Sequence, residues 1–244
     1  MSINNMLTDA WNKARELWLS YPACSVCRSS IKGRAEPLGL CRTCFQTIPW
    51  IKHVQCFKCG RGIVCTDCER RQSTFFQQNR SAVRYDDHMK EWLALWKYRG
   101  DERLQVVLSG MLVHPYNLYR EQGITFDGIT FVPVSSTRYE ERGFNQAEKL
   151  AKGLGQRVRL PVIPMLNRVL HTNKQSVKSR MERITDLHTA FEMRPNIPLV
   201  KANSTMRRIL LVDDVYTTGS TLNQCAKILT SDNQLDIYGL TWAR

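Results

Sequence analysis

The chain has 244 residues, 43% hydrophobic and 9% aromatic against 23% charged, which excludes a disordered tail, a collagen-like repeat and a membrane-embedded protein. With 35 lysines and arginines against 22 acidic residues, the formal net charge is +13, so a polyanion such as a nucleic acid is favoured as a partner by long-range attraction and counterion release.

The first expected element is an amphipathic helix at 6–19, where Leu7, Ala10, Trp11, Ala14, Leu17 and Trp18 recur at spacings of three and four. Asp9, Lys13, Arg15 and Glu16 interrupt it, as no signal-peptide core allows. The chain has no apolar run of about 18 residues. A cytoplasmic protein without a membrane span is expected.

Eight of the nine cysteines form four tight pairs: Cys24/Cys27, Cys41/Cys44, Cys56/Cys59 and Cys65/Cys68. Two residues between cysteines let both thiolates reach one tetrahedral ion from a turn, and two such turns complete a closed four-sulfur shell. About two structural zinc ions are therefore expected. The connecting segments of 13, 11 and 5 residues favour sequential pairing into two zinc ribbons, although an interleaved pairing uses the same spacings. Basic residues from Arg28 to Arg71, among them Lys52 and Arg61, are interleaved with Phe45, Trp50 and Phe57, a mixture suited to phosphates and stacked bases. A purely structural or protein-docking ribbon is the alternative. Cys225 stands alone in an apolar helical context and reads as a buried small hydrophobe.

Beyond a polar stretch, 82–85 reads as a strand, and a helix follows Asp86 with Met89, Trp92, Leu93 and Trp96 on one face. A second helix runs from Asp101 up to Pro115, with Leu104, Val107, Leu108, Met111 and Leu112 on its apolar face. Then come a strand at 128–134, a helix around 145–154, an extended 162–166, an apolar strand at 208–212, a helix at 221–230 and a closing strand at 235–242. Apolar strands alternating with helices predict a parallel α/β sheet. The expected organisation is a helix at 1–20, a double zinc ribbon at 21–74 and an α/β domain at 75–244.

The most informative stretch joins the strand at 208–212 to Asp213, Asp214 and then Val215-Tyr216-Thr217-Thr218-Gly219-Ser220-Thr221. A glycine- and hydroxyl-rich turn opening a helix is an anion cradle, because free N–H groups and the positive end of the helix dipole face it. The two carboxylates add what a sugar phosphate needs, since they can accept from vicinal ribose hydroxyls directly or through magnesium.

These residues are similar to the phosphoribosyl pyrophosphate motif of type I phosphoribosyltransferases. Together with the cysteine pairs, Lys97-Tyr98-Arg99-Gly100, Val132-Pro133-Val134 and Arg142-Gly143-Phe144-Asn145-Gln146, the chain over about 20–244 resembles the ComF/ComFC family of competence and DNA-utilisation proteins. The resemblance implies a double zinc ribbon before a phosphoribosyltransferase-like domain. It implies Asp213 and Asp214 as ribose-binding acids, Thr217, Thr218, Gly219, Ser220 and Thr221 as the 5′-phosphate loop, and phosphoribosyl pyrophosphate with magnesium as ligand. The turn at 135–142 takes the place of the pyrophosphate loop, with Arg138 and Arg142 suited to the diphosphate. The basic segment 168–183 takes the place of a mobile loop, and Lys174, Lys178, Arg180 and Arg183 are candidates for DNA contacts. Lys178 and Asp186 depart from the family pattern. Purine-salvage relatives carry an aspartate at the position of Thr217, so purine salvage is disfavoured. The expected function is handling of DNA in competence or DNA utilisation, with a site for phosphoribosyl pyrophosphate or a nucleotide and binding of single-stranded DNA. Two alternatives stay open: an active phosphoribosyltransferase on another acceptor, and a zinc-ribbon scaffold docking an uptake helicase or another competence protein.

Overall fold

A computed structural model describes residues 22–69, 73–169, 190–197, 200–201, 204–205, 207–231 and 235–244. The expected helix at 6–19, Arg70, Arg71, Lys174, Lys178, Arg180 and Arg183 lie outside these residues. The chain divides into two compact units, Met1–Thr47 and Ile48–Arg244. The second cysteine cluster, 56–68, therefore belongs to the unit that carries the main sheet.

In the first unit the turn at 24–27 is closed by Arg28 N donating to Cys24 O at 3.1 Å, and a short 3₁₀ turn at Pro37–Gly39 precedes α1 (Arg42–Gln46). Cys41 caps α1, its sulfur accepting from Cys44 N at 3.5 Å.

The second unit runs β1 (Asn79–Val83), α2 (Asp87–Arg99), α3 (Glu102–Met111), α4 (Val113–Glu121), β2 (Gly128–Phe131), α5 (Ser136–Arg142), α6 (Gln146–Val158), β3 (Leu166–Arg168), β4 (Phe191–Met193), β5 (Val200–Lys201), β6 (Ser204–Thr205), β7 (Arg208–Val215), α7 (Ser220–Ser231) and β8 (Asp236–Ala243). Four strands form one parallel sheet in the order β1-β8-β7-β2. Every residue of β1 and β2 is buried, as expected of a parallel sheet covered by helices. Contacts from α6 reach β2 and β7, and contacts from α7 reach β7 and β8.

Caps set the helix starts that matter here. Asp86 accepts from Met89 N at 3.0 Å and Asn145 from Glu148 N at 3.4 Å, while Gly100 ends α2 in the left-handed region with φ 62°. The expected face of Met89, Trp92, Leu93 and Trp96 is buried, and so is Cys225.

Several boundaries differ from the sequence expectation: the strand expected at 128–134 ends at Phe131, and the helix expected around 145–154 runs on to Val158. The first strand begins at Asn79 rather than Ala82, because Asn79, Arg80 and Ser81 are buried and hydrogen-bonded inside the fold. The expected helix from Asp101 to Pro115 is two helices. Pro115 sits in the first turn of α4, where its missing N–H leaves no helical bond unmade. The turn at 135–142 is the short helix α5, which has no buried residue and hence no apolar stripe to betray it. The strand at 208–212 continues through both aspartates to Val215, since Asp213 and Val215 still pair with Thr241 and Ala243 of β8.

Candidate functional site

The cysteines come together as Cys24, Cys27, Cys41 and Cys44 in one group and Cys56, Cys59, Cys65 and Cys68 in another, with the sulfurs of each group within 4.8 Å of one another. This is the sequential pairing. Four sulfurs around one zinc at about 2.3 Å stand about 3.8 Å apart, and the Cys27–Cys41 and Cys59–Cys65 separations are 3.7 and 3.6 Å. The donor sets thus fit two zinc ions. Each group contains a readily ionised thiol: hydrogen bonds with Ser29 bring Cys27 down to about 6, and hydrogen bonds from the Cys68 backbone and the Cys59 and Cys68 thiols outweigh burial to bring Cys65 down to about 7.

Successive side chains of β7 alternate between faces, so the paired aspartates diverge. Asp214 meets Lys97 of α2, with Nζ 2.5 Å from Oδ2 and both side chains largely buried, at 16% and 20% exposure. Asp213 lines a small recess with Thr221, Leu222 and Thr241. Each carboxylate is fixed by the backbone that follows: Asp214 N donates to Asp213 Oδ1 at 2.8 Å and Val215 N to Asp214 Oδ1 at 2.7 Å. Burial and the adjacent Asp214 hold the Asp213 carboxyl well above the usual carboxylate range.

After β7 the chain turns sharply into α7. Tyr216 N donates to Ala243 O at 2.9 Å, and Gly219 lies against the Tyr216 ring so closely that a Cβ there would meet it at 2.2 Å. Gly219 also has φ 74°, which glycine tolerates best. Its carbonyl accepts the first helical bond from Asn223 N at 2.9 Å. Ser220 N donates to Thr218 Oγ1 at 3.3 Å, and Thr217, Thr218 and Ser220 are exposed. The turn thus presents hydroxyls at a helix N-terminus, at the carboxyl end of a central parallel strand.

The two arginines of the expected pyrophosphate loop stand on α5. Arg138 is exposed, whereas Arg142 donates to Gln146 Oε1 at 3.0 Å and lies over the Tyr98 ring at 5.7 Å. Arg142 Nε is buried with no hydrogen-bond partner among the described residues. Asn145 caps α6 and donates to Val132 O at 3.1 Å.

Sequence reasoning assigned no role to Lys97 or Arg244. The motif Lys97-Tyr98-Arg99-Gly100 marked the place, but an ion pair between distant segments leaves no periodic signal. Arg244 stacks its guanidinium 4.3 Å over the Tyr216 ring and donates to Cys59 O at 3.3 Å, tying the second cysteine cluster to the turn.

A paired cysteine front, a parallel α/β sheet flanked by helices and an Asp-Asp strand running into a hydroxyl-rich turn define the class. No family model matches the chain. Competence protein ComFC of Bacillus subtilis is 33% identical over 200 residues, covering 78% of this chain and 77% of that one. Competence protein ComFC of Streptococcus pneumoniae is 29% identical over 216 residues, covering 86% and 90%. The chain belongs to the ComF/ComFC family of competence proteins. Among the described residues no helix is long and apolar enough to cross a membrane.

Proposed function

We propose that this protein handles single-stranded DNA in competence, and that its sheet unit binds a ribose phosphate, either phosphoribosyl pyrophosphate with magnesium or a nucleotide. One observation carries the reading: Asp213 and Asp214 at the end of β7 lead within a few residues into the turn at 217–221, which opens α7. Hydroxyls and the helix N-terminus suit the 5′-phosphate, and the carboxylates suit ribose hydroxyls or a magnesium ion beside the diphosphate. Arg138, exposed on α5, suits the pyrophosphate side. The similarity to competence proteins supports the DNA-handling role. The two cysteine groups hold structural zinc in this reading, and elemental analysis of protein purified without chelator is expected to give about two zinc ions per chain.

Isothermal titration with phosphoribosyl pyrophosphate, with and without magnesium, tests the ribose-phosphate site. Saturable binding that strengthens with magnesium is expected; no binding under either condition refutes the site. Pyrophosphate release on adding candidate acceptors would make the protein a transferase as well.

A further inference from the structure

We infer that Arg244 is a positioning residue for the ribose-phosphate site, making the affinity of the turn at 217–221 depend on whether the second cysteine cluster holds its metal ion. The inference deepens the reading above and rests on it. Its starting point is one carbonyl. Cys59 is fully buried, and its carbonyl accepts from Arg244 Nη1 at 3.3 Å and from Asn79 Nδ2 at 3.2 Å. The knuckle at 56–59 is a tight turn, with Gly60 N donating to Cys56 O at 2.9 Å, and closed thiolate sites of this kind fold together with their metal. The place of the Cys59 carbonyl therefore depends on the ion being held.

Both donors lead to the site. The main chain of Arg244 is fixed by the end of β1, its N donating to Val83 O at 3.0 Å and its carbonyl accepting from Tyr85 N at 2.8 Å, so the side chain alone spans the distance to the knuckle. On the way its guanidinium lies 4.3 Å over the Tyr216 ring. That ring is the surface against which Gly219 packs with no room for a Cβ, so tilting it moves the turn that presents Thr217 and Thr218. The second donor, Asn79 Nδ2, also reaches Ser81 Oγ at 3.1 Å and Thr241 Oγ1 at 3.3 Å, and those two hydroxyls share a 2.7 Å bond. Ser81, Thr241 and Asp213 form one row across β1, β8 and β7, and Thr241 lines the same recess as Asp213. The knuckle is thus joined to the phosphate side of the site through Arg244 and to the carboxylate side through a buried polar row. Packed side chains and hydrogen bonds of this kind carry coupling when one end has two discrete arrangements, here the metal-bound and metal-free knuckle. Arg244 is half-buried, whereas Asn79, Ser81 and Thr241 are buried, so the arginine is the link that a substitution can cut without opening the core. The first cluster, 24–44, lies in the other compact unit and serves as the control.

The test reads zinc retention rather than turnover. Linkage is reciprocal, so a ligand whose affinity depends on the metal-bound knuckle must raise the metal affinity of that knuckle by the same factor. The full chain is titrated with a zinc-selective chelator, with and without saturating phosphoribosyl pyrophosphate and excess magnesium. The ligand is expected to raise zinc affinity about tenfold at one cluster and to leave the other within about twofold. Arg244→Met is expected to abolish that gain while both clusters still hold zinc. Arg244→Lys keeps the charge but not the planar fork, so it is expected to abolish the gain too, and it decides the matter if Arg244→Met does not fold. Cys68→Ser, which leaves only the first cluster complete, is expected to show no gain. A gain that persists in both Arg244 variants, or that survives in Cys68→Ser, overturns the inference. If wild type binds phosphoribosyl pyrophosphate with its zinc affinity unchanged, the inference falls and the ribose-phosphate reading stands. If wild type fails to bind phosphoribosyl pyrophosphate, that reading falls first, and the inference with it.

Discussion

Asp213 holds a carboxyl where its charge is disfavoured, in a recess beside a second acid. Because the folded chain holds this proton more tightly than an unfolded one, its contribution to stability is full below the ordinary carboxylate value near 4 and is lost as pH rises through the elevated folded value. Asp213→Asn should therefore raise thermal stability at neutral pH by about 1 kcal/mol, with the gap from wild type closing as the pH is lowered toward 4. Melting curves across pH check this, and a gap that stays constant with pH would contradict it. Lys97→Met acts in the opposite direction, since it leaves Asp214 largely buried without its cation. A loss of about 1–2 kcal/mol is expected, between the values for exposed and fully buried pairs. Gly219→Ala should disorder the turn, because the added methyl meets the Tyr216 ring and the φ of 74° is strained for alanine. The motif from Asp213 to Thr221 was legible in the sequence because its residues are contiguous and each type has a chemical reason to be there. The roles of Lys97 and Arg244 were not legible, because each joins segments far apart in the chain.

At the scale of elements, the second cysteine knuckle and β1 are fastened together. Asn79 N donates to Lys58 O at 2.7 Å, Asn79 Nδ2 to Cys59 O at 3.2 Å and Arg80 Nη1 to Phe57 O at 2.9 Å. Gly60 lies so close that a Cβ would come within 2.5 Å of Asn79 O. These bonds are why Asn79 and Arg80 can be buried, as the 2.7 Å bond between the Ser81 and Thr241 hydroxyls is for Ser81, and why a run that reads as polar loop is the first part of an edge strand. If this knuckle holds the proposed zinc, removing the ion should release the edge of the sheet. Cys59→Ser is expected to lower stability by about 3 kcal/mol or more and to speed amide exchange in β1. Normal protection at 79–83 in that variant would show that the knuckle does not hold the strand. The core helices were legible because their apolar faces repeat at three and four residues. Helix α5 was not, since it buries no residue and its only signals are local: the Ser135 cap and the left-handed Gly143 at φ 75°.

For the whole molecule, a net charge of +13 sets the long-range field and leaves binding sensitive to ions. Binding of a single-stranded oligonucleotide should weaken by about tenfold or more between 50 and 200 mM salt, as displaced counterions are recovered. Fluorescence anisotropy at a series of salt concentrations checks it, and an affinity flat across that range would remove the electrostatic basis for DNA handling. The parallel sheet was legible because buried strands such as 209–212 are continuously apolar, and its order β1-β8-β7-β2 places the turn after β7 at a central strand. The central claim is that this turn and the two aspartates before it form one ribose-phosphate site. Its most direct test is isothermal titration of phosphoribosyl pyrophosphate with magnesium into wild type and into the double variant Asp213→Asn, Asp214→Asn. A fall in affinity of one to three orders of magnitude, roughly 1.4–4 kcal/mol, is predicted, with inorganic phosphate still bound because the turn at 217–221 is untouched. A folded double variant that binds phosphoribosyl pyrophosphate as tightly as wild type would contradict the account.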